Sequence, residues 1–249
     1  MRPACLTPSH RSSWRMRGRN TQARGNAPAR PLWRRLARGL SWLAIGAVLL
    51  LILMIGLWRF VPPVSTLMLG RYALGQPVER RWTGLDHVSQ NLLAAVLMAE
   101  DARFCRHNGV DWVALGDVVK DGPSRGASTI AMQTAKNLFL WPQRSFVRKT
   151  IEIPTALALD AAWPKRRLLE VYLNLAEWGD GIFGAEAAAQ RYFGKNAVAL
   201  TPHEAALLAS ALPNPILRNP LHPTRKQLFL VKIIERRMRE AGPWLDCLK

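Results

Sequence analysis

One stretch limits what this chain can fold into more than any other. Between Arg38 and Arg59 lie twenty consecutive uncharged residues, GLSWLAIGAVLLLILMIGLW. As an α-helix with a rise of about 1.5 Å per residue, this stretch spans roughly 30 Å, the thickness of the hydrocarbon core of a bilayer. Trp42 and Trp58 stand near its ends, where aromatic side chains favour the membrane interface. The stretch therefore predicts a transmembrane anchor over residues 39–60.

The charge before the anchor indicates its orientation. The chain has a formal net charge of +18, and residues 1–39 contain ten Arg but neither Lys nor an acid. Residues 1–38 show no apolar periodicity, so we predict a disordered tail. A cleavable signal peptide is the competing interpretation, but LWRFVPP offers no small-x-small cleavage site and the basic leader is long. The positive-inside rule then puts the tail in the cytoplasm and residues 61–249 on the outer side.

The arginine-rich tail is also compatible with nucleic-acid binding, since such binding depends on cationic side chains. Charge without a recognition motif is weak support for that function, however. Beside a membrane span, the arginines are more simply a topology signal attracted to anionic lipid. We therefore expect no nucleic-acid partner.

The sequence does not determine whether any of the three cysteines form a disulfide. Cys5 is expected in the cytoplasm, which leaves Cys105 and Cys247 on the outer side. An oxidising compartment would allow these two to pair, but their spacing does not show that they meet. The sequence favours unlinked, partly buried thiols.

Beyond the anchor, helical patterns dominate. SQNLLAAVLMAEDARF follows the candidate N-cap Ser89, KRRLLEVYLNLAEWG stops at Gly179, and AEAAAQRYFG ends at Gly194, which suits a left-handed cap. Capping boxes at Thr201 and Thr224 begin two more helices. Alternating strand patterns are scarce, so the domain is predicted to be mainly α.

The stretch LMAEDARFCRHNGVDW places Glu100 and Asp101 where an apolar helix ends. Partial desolvation there raises the pKa of a carboxyl group toward the range of a general base. Taken alone, the stretch favours a structural role, in which Glu100 and Asp101 cap a surface helix and His107 satisfies a backbone group, because carboxylates in structural ion pairs are also perturbed.

Two further clusters carry cations. GPSRGASTIAMQTAKNLFLWP offers hydroxyl and backbone N–H donors to an anion, with Lys136 as a point charge. An amphipathic helix with a solvated lysine is the alternative. SFVRKTIE puts Arg148 and Glu152 on one helix face, as in a plain ion pair, and Pro154 is expected to kink or delay that helix.

Taken in order, four segments resemble the successive motifs of the peptidoglycan glycosyltransferase family in its monofunctional, membrane-anchored form. They are EDARFCRHNGVD, GASTIAMQTAKN, RKTIE and LLEVYLNLAEWGDGIFGAEAAAQRYFGK. Four ordered motifs are far more specific than one short pattern. The resemblance implies a lysozyme-like α-helical fold with a small membrane-associated lobe. It also implies an enzyme of the bacterial inner membrane that polymerises lipid II into β-1,4-linked glycan strands by inversion, releasing undecaprenyl pyrophosphate.

The resemblance assigns roles to individual residues. Glu100 matches the catalytic base that deprotonates the 4-hydroxyl of the acceptor sugar, and Glu152 matches a second catalytic carboxylate that orients the site. Lys136, Arg148 and Lys149 match the cations that stabilise the charge of the leaving pyrophosphate. The other positions matched to substrate binding are Asp101, Phe104, His107, Gly109, Ser128, Thr129, Gln133 and Asn137.

The implied chemistry needs few other components. No His/Cys/Asp cluster has the spacing of metal ligands, so a divalent cation, Mg²⁺ or Mn²⁺, is expected at most as a counterion of the pyrophosphate. The implied partners are lipid II, the growing lipid-linked chain and the membrane. Contacts with other proteins of wall synthesis or division stay open.

Three other functions compete with glycan polymerisation. A transpeptidase needs Ser-x-x-Lys and Lys-Thr-Gly signatures, which the sequence lacks. A membrane-anchored hydrolase or lytic enzyme also uses paired carboxylates, but it does not need the cations around Lys136 and Arg148. A non-catalytic scaffold for wall synthesis has no need of both Glu100 and Glu152.

Overall fold

The computed structural model describes residues 32–121, 127–143 and 145–248. Over these residues the protein is mainly α-helical, as predicted, with ten α-helices and one small sheet. The helices are α1 (Leu32–Trp58), α2 (Thr66–Ala73), α3 (Gln90–Glu100), α4 (Trp112–Asp121), α5 (Ile130–Phe139), α6 (Phe146–Ala162), α7 (Lys165–Leu175), α8 (Ala185–Phe193), α9 (Pro202–Ala211) and α10 (Arg225–Arg239). The strands are β1 (Glu79–Arg80), β2 (Glu177–Gly179) and β3 (Ile182–Phe183).

The chain divides into two compact units, Met1–Val48 and Leu49–Lys249. The described part of the first unit is the beginning of α1, where the side chains are exposed. Over Trp33–Trp58, α1 is long and apolar enough to cross a membrane. A single N-terminal membrane anchor is therefore consistent with the structure. Residues 1–31 lie outside the described part of the chain, so the disordered tail stays a prediction.

In the second unit, two groups of helices form the core. Helix α3 packs against α9 and α10, whereas α5 packs against α6 and α7. Every side chain from Leu92 to Met98 of α3 is buried. The two groups meet just beyond the end of α3, where the Asp101 carboxylate accepts a hydrogen bond from the Ile130 N–H at the start of α5 (2.9 Å). This junction places the end of α3 beside the first turn of α5.

Several predicted helix boundaries are confirmed because local caps determine them. The Ser89 hydroxyl accepts from the Leu92 N–H, and Thr201 begins α9 with a complete capping box. Gly194 ends α8 in the left-handed region with φ 63°. At Thr224 only half of the predicted box forms, since the Gln227 amide instead donates to the Ser210 hydroxyl (3.1 Å).

Two local expectations were wrong. Helix α3 does end at Glu100, where the sequence places the end of an apolar helix. Helix α7, however, ends at Leu175, before Gly179, because Glu177–Gly179 pairs with β3. The sheet has the order β1-β3-β2, and its two- and three-residue strands are too short to show an alternating pattern. Pro154 neither delays nor ends α6, which begins at Phe146 and continues to Ala162.

The predicted free thiols were also wrong, because Cys105 and Cys247 form a disulfide. The two residues are 142 positions apart in sequence, yet their Cα atoms lie 5.5 Å apart. The Arg166 guanidinium helps to hold the C-terminal turn by donating to the Leu248 carbonyl oxygen. Only the tertiary fold brings these segments together, so spacing alone did not reveal the pair.

Replacing Cys247 with serine is expected to lower the free energy of unfolding by about 3 kcal/mol, because the disulfide restricts a long loop of the unfolded chain. Denaturant titration of the detergent-solubilised protein measures this loss. A reductant is expected to destabilise the wild type similarly and to leave Cys247→Ser unchanged. Equal stability of the oxidised wild type and Cys247→Ser would refute a stabilising disulfide.

Candidate active site

Glu100 is the last residue of α3, and its half-buried side chain lines a cavity of about 350 Å³. The Gln133 amide nitrogen donates a hydrogen bond to Glu100 Oε2 at 2.8 Å. Burial raises the pKa of the Glu100 carboxyl group, and the nearby charge of Asp101 adds to the effect. The Gln133 hydrogen bond and the charges of Lys136 and Arg218 oppose the rise. The group is therefore a carboxylate with unusual affinity for a proton.

Unlike Glu100, Asp101 has protein hydrogen-bond partners at both of its carboxylate oxygens. Its Oδ1 lies 2.8 Å from His107 Nε2, and its Oδ2 accepts from the Ile130 N–H. The side chains of Asp101 and His107 are both buried. This pair connects the end of α3 to the following loop and to α5, which holds Glu100 in place.

Phe104 and Gly109 hold the same loop. Phe104 is 1% exposed, and the Lys165 ammonium lies 4.7 Å from its ring centroid. Gly109 has φ +78°, and a Cβ there would lie 2.8 Å from the Ala156 carbonyl oxygen of α6. Their burial favours a role in shaping the loop over direct contact with a substrate.

The cations lie in a second cavity of about 640 Å³. Its lining includes Gln133, Lys136, Arg148, Lys149 and Glu152. Ser128 lines both cavities. Glu100, the carboxylate with the raised pKa, and the cations are therefore neighbours at the junction of α3, α5 and α6.

Lys136 is the uncompensated charge of this cavity. Within residues 32–121, 127–143 and 145–248, its ammonium has neither a hydrogen-bond partner nor an ion-pair partner. Burial lowers the pKa of Lys136, and the charge of Arg148 lowers it further, while Glu152 and Glu100 raise it. A half-buried cation without a partner among the described residues is a ready binding group for an anion.

Arg148, Lys149 and Glu152 form a connected group on α6. The Lys149 ammonium lies 2.7 Å from Glu152 Oε1, and Arg148 Nη1 lies 3.2 Å from Glu152 Oε2. Lys149 also donates to the Ser128 hydroxyl (2.9 Å). In the buried Arg148 side chain, Nε and Nη1 make no hydrogen bond to the described residues. One carboxylate thus orients two cations that retain capacity for a further anion.

Two of the predicted binding residues remain, Thr129 and Asn137, and they differ in their contacts. Thr129 caps α5 by accepting from the Met132 N–H, and its hydroxyl donates to the Gly109 carbonyl oxygen (2.5 Å). Thr129 also lines the cavity of Glu100. Asn137 lines a smaller cavity next to Lys136. Thr129 therefore combines a structural contact with access to the cavity.

Three residues near Glu100 were missed in the sequence. The charge of Arg218 acts on the Glu100 carboxyl, Arg237 lines the same cavity and donates to the Met98 carbonyl oxygen (3.2 Å), and the Tyr172 hydroxyl contacts Gln133. No local pattern distinguishes these residues from other late basic or core positions. Packing of α7, α9 and α10 brings them to the site.

The described side chains offer little to a metal ion. In the described part of the chain, no group of three or more His, Cys, Asp or Glu residues is placed to hold a metal ion. Near the cations, Glu152 is already engaged by Arg148 and Lys149.

Comparison with known proteins gives a consistent result. A model of the transglycosylase family matches residues 67–239, which contain all four sequence motifs. A protein of Brucella suis biovar 1 (strain 1330), named biosynthetic peptidoglycan transglycosylase, is 50% identical over 220 residues, or 86% of this chain and 98% of the relative. Proteins of the same name from Rhizobium meliloti (strain 1021) and Rhodospirillum centenum (strain ATCC 51521 / SW) are 48% and 52% identical. These matches cover 88% and 82% of this chain, and 95% and 91% of the respective relatives. The resemblance seen in the sequence is confirmed, and the chain belongs to the transglycosylase family.

Proposed function

We propose that this protein polymerises lipid II into peptidoglycan glycan strands as a membrane-anchored glycosyltransferase. The observation that carries the proposal is the pairing of Glu100, whose pKa is raised by burial, with a neighbouring cavity that contains Lys136, a cation with no partner in the described part of the chain. A base beside a cationic pocket suits transfer from a donor that leaves as a pyrophosphate. The names of the relatives support the same reaction.

In the proposed reaction, Glu100 accepts the proton of the 4-hydroxyl group of the acceptor sugar. The acceptor oxygen forms a bond to the anomeric carbon of the lipid-linked donor, and the bond from that carbon to the pyrophosphate oxygen breaks. The proton remains on Glu100, and the electron pair of the broken bond leaves with the pyrophosphate. A single displacement of this kind inverts the anomeric carbon, so an α-linked donor gives a β-1,4 linkage.

The leaving group needs positive charge rather than a strong acid, because pyrophosphate is already an anion. Lys136, Arg148 and Lys149 supply that charge in a partly buried cavity, where electrostatic stabilisation is stronger than in water. Glu152 holds Arg148 and Lys149 through short contacts. Its role in the proposal is to orient these cations rather than to donate a proton.

The membrane anchor serves the same chemistry. We place the N-terminal tail in the cytoplasm and residues 61–249 on the periplasmic side of the bacterial inner membrane, following the charge asymmetry around α1. Large apolar side chains near the cationic cavity support a membrane-associated lobe, since Phe146 is 95% and Val147 65% exposed. An anchored site stays beside a substrate that does not leave the bilayer.

A divalent cation enters this proposal only with the substrate. The carboxylates nearest the cations are engaged by protein groups, so Mg²⁺ or Mn²⁺ would be held mainly by pyrophosphate oxygens. We also propose that the protein is monofunctional, because its sequence has neither Ser-x-x-Lys nor Lys-Thr-Gly.

Incubation of the purified full-length protein with labelled lipid II tests the function. The proposal predicts labelled glycan polymer on a denaturing gel and no breakdown of preformed glycan. Cleavage of preformed glycan without polymer formation would instead support the hydrolase. Absence of both activities from the folded, membrane-reconstituted protein would support a scaffold.

The rate is expected to depend on pH through two groups. Glu100 must be deprotonated, so the rate is lost as pH falls through its raised pKa, at a higher pH than for an ordinary Glu. Lys136 must be charged, so the rate is lost as pH rises through its lowered pKa. Initial rates against pH should give a bell-shaped profile. A rate that is flat through the acid range, in protein that stays folded, would contradict this assignment.

A further inference from the structure

Tyr172 of α7 contacts Gln133 of α5, the residue that donates a hydrogen bond to Glu100. Its side chain is 1% exposed, and its hydroxyl donates to Gln133 Oε1 at 3.3 Å. The Gln133 amide nitrogen in turn donates to Glu100 Oε2 at 2.8 Å. The three side chains therefore form a directed chain of hydrogen bonds that ends on Glu100.

The direction of this chain follows from the chemistry of its members. A side-chain amide has an acceptor on one side and a donor on the other, so fixing one end fixes the other. Among the residues that the structure describes, Tyr172 is the only hydrogen-bond donor to Gln133 Oε1. With the oxygen held there, the NH₂ group faces Glu100, which as a carboxylate accepts hydrogen bonds only.

We propose that Tyr172 is a positioning residue, which orients the Gln133 amide so that Glu100 remains charged and aimed at the acceptor hydroxyl. The inference rests on the proposed role of Glu100 as base. It extends the site to a buried residue of α7, whereas the sequence assigned the site only to α3, α5, α6 and the loops between them.

Tyr172 is suited to this role because it keeps its proton. Burial raises the pKa of its hydroxyl well above the ordinary value, and the charges of Glu100 and Asp101 raise it further. The hydroxyl is therefore a donor throughout the working pH range. Without it, the amide is free to turn its oxygen toward Glu100, which would favour the protonated carboxyl and reduce the fraction of Glu100 that is charged.

Other charges around Glu100 do not depend on Tyr172. Asp101 lies next to Glu100 at the end of α3, Lys136 faces it from α5, and Arg218 follows α9. Arg237 of α10 lines the same cavity. Substitution of Tyr172 by phenylalanine leaves these groups in place and removes only the hydroxyl. A change in the titration of the base then reports on the hydrogen-bond chain.

The test compares pH–rate profiles of lipid II polymerisation by full-length wild type and Tyr172→Phe. We expect the acid limb to move to higher pH by about one unit, which is about a tenfold lower rate on that limb. The matched control is Tyr192→Phe, since Tyr192 is half-buried and its hydroxyl donates to the Trp178 carbonyl oxygen (3.3 Å). Its profile should coincide with that of the wild type.

A second variant distinguishes a positioning role of Tyr172 from a role in packing alone. In Gln133→Met, which removes the amide, the acid limb should shift similarly, and adding Tyr172→Phe should shift it no further. If Tyr172→Phe does not fold, an unshifted acid limb in Gln133→Met still overturns the proposal, because Gln133 is the only link from Tyr172 to Glu100 in the proposed chain. An unshifted acid limb in folded Tyr172→Phe, or equal additional loss in the Gln133→Met background, would overturn the proposal. Polymerisation by the wild type tests the function separately.

Discussion

Glu100→Gln is expected to polymerise lipid II at least about 100-fold more slowly than the wild type, because a positioned general base contributes about 10² to 10⁴ to a rate. The amide retains the shape of the side chain and an oxygen that accepts from Gln133, but it does not take up the proton of the acceptor hydroxyl. Initial rates with saturating labelled lipid II measure the loss. Replacement of Glu170, which pairs with Arg167 on α7 (2.5 Å), provides a matched Glu→Gln control.

Stability distinguishes lost chemistry from lost structure in Glu100→Gln. Because burial raises the pKa of Glu100 in the folded protein, the charged form reduces folding stability above the ordinary pKa of a glutamate. The neutral amide removes that effect, so the melting temperature at neutral pH should rise or stay constant. A variant as active as the wild type would show that Glu100 is not the base. A variant that melts earlier would contradict our account of its burial.

Lys136→Ala is expected to lower the polymerisation rate by about 10² to 10³, the usual loss when one preorganised donor to a developing negative charge is removed. Lys136 has no protein partner in the described structure, so its charge is available to the leaving pyrophosphate. Lys136→Arg, which keeps the charge but changes its geometry, should retain more activity than the alanine variant. The rate of pyrophosphate release measures the activity of both variants.

A lysine outside the cavities controls for the loss of charge. Lys226 is exposed near the start of α10, and Lys226→Ala should polymerise lipid II at the wild-type rate. Because burial lowers the pKa of Lys136, its removal should not lower the melting temperature. Full activity of Lys136→Ala would show that the pyrophosphate binds elsewhere.

Local signals in the sequence predicted much of the helical framework. The hydroxyl of Ser89, the capping box at Thr201 and the left-handed Gly194 each act within a few residues, so their effects are visible in a short window. The apolar length of α1 is equally local. Boundaries set by distant contacts were not visible in this way, and α7 ends early because the following strand pairs with β3.

The candidate site was likewise predicted only in part. The resemblance identified Glu100, Lys136 and the residues of α6 as neighbours, and the structure brings their cavities together. It did not reveal that Asp101 turns away to bind His107 and the start of α5. That arrangement ends α3 at Glu100, and it depends on a contact across 29 residues of sequence.

Long-range contacts account for the other omissions. Cys105 and Cys247 meet because the C-terminal turn packs beside the first motif in the folded protein. Tyr172 belongs to an apolar helix pattern that predicts burial, but its hydrogen bond to Gln133 depends on how α7 packs against α5. No window of sequence contains both partners of either contact.

The most direct test of base-assisted transfer at this site counts two products of one reaction. Purified wild type receives doubly labelled lipid II, and released polyprenyl pyrophosphate is compared with disaccharide units incorporated into polymer. Base-assisted transfer predicts one pyrophosphate for each glycosidic bond formed, with both products lost together in Glu100→Gln and Lys136→Ala. Glycan polymer without pyrophosphate release, or undiminished release by Glu100→Gln, would contradict base-assisted transfer at this site.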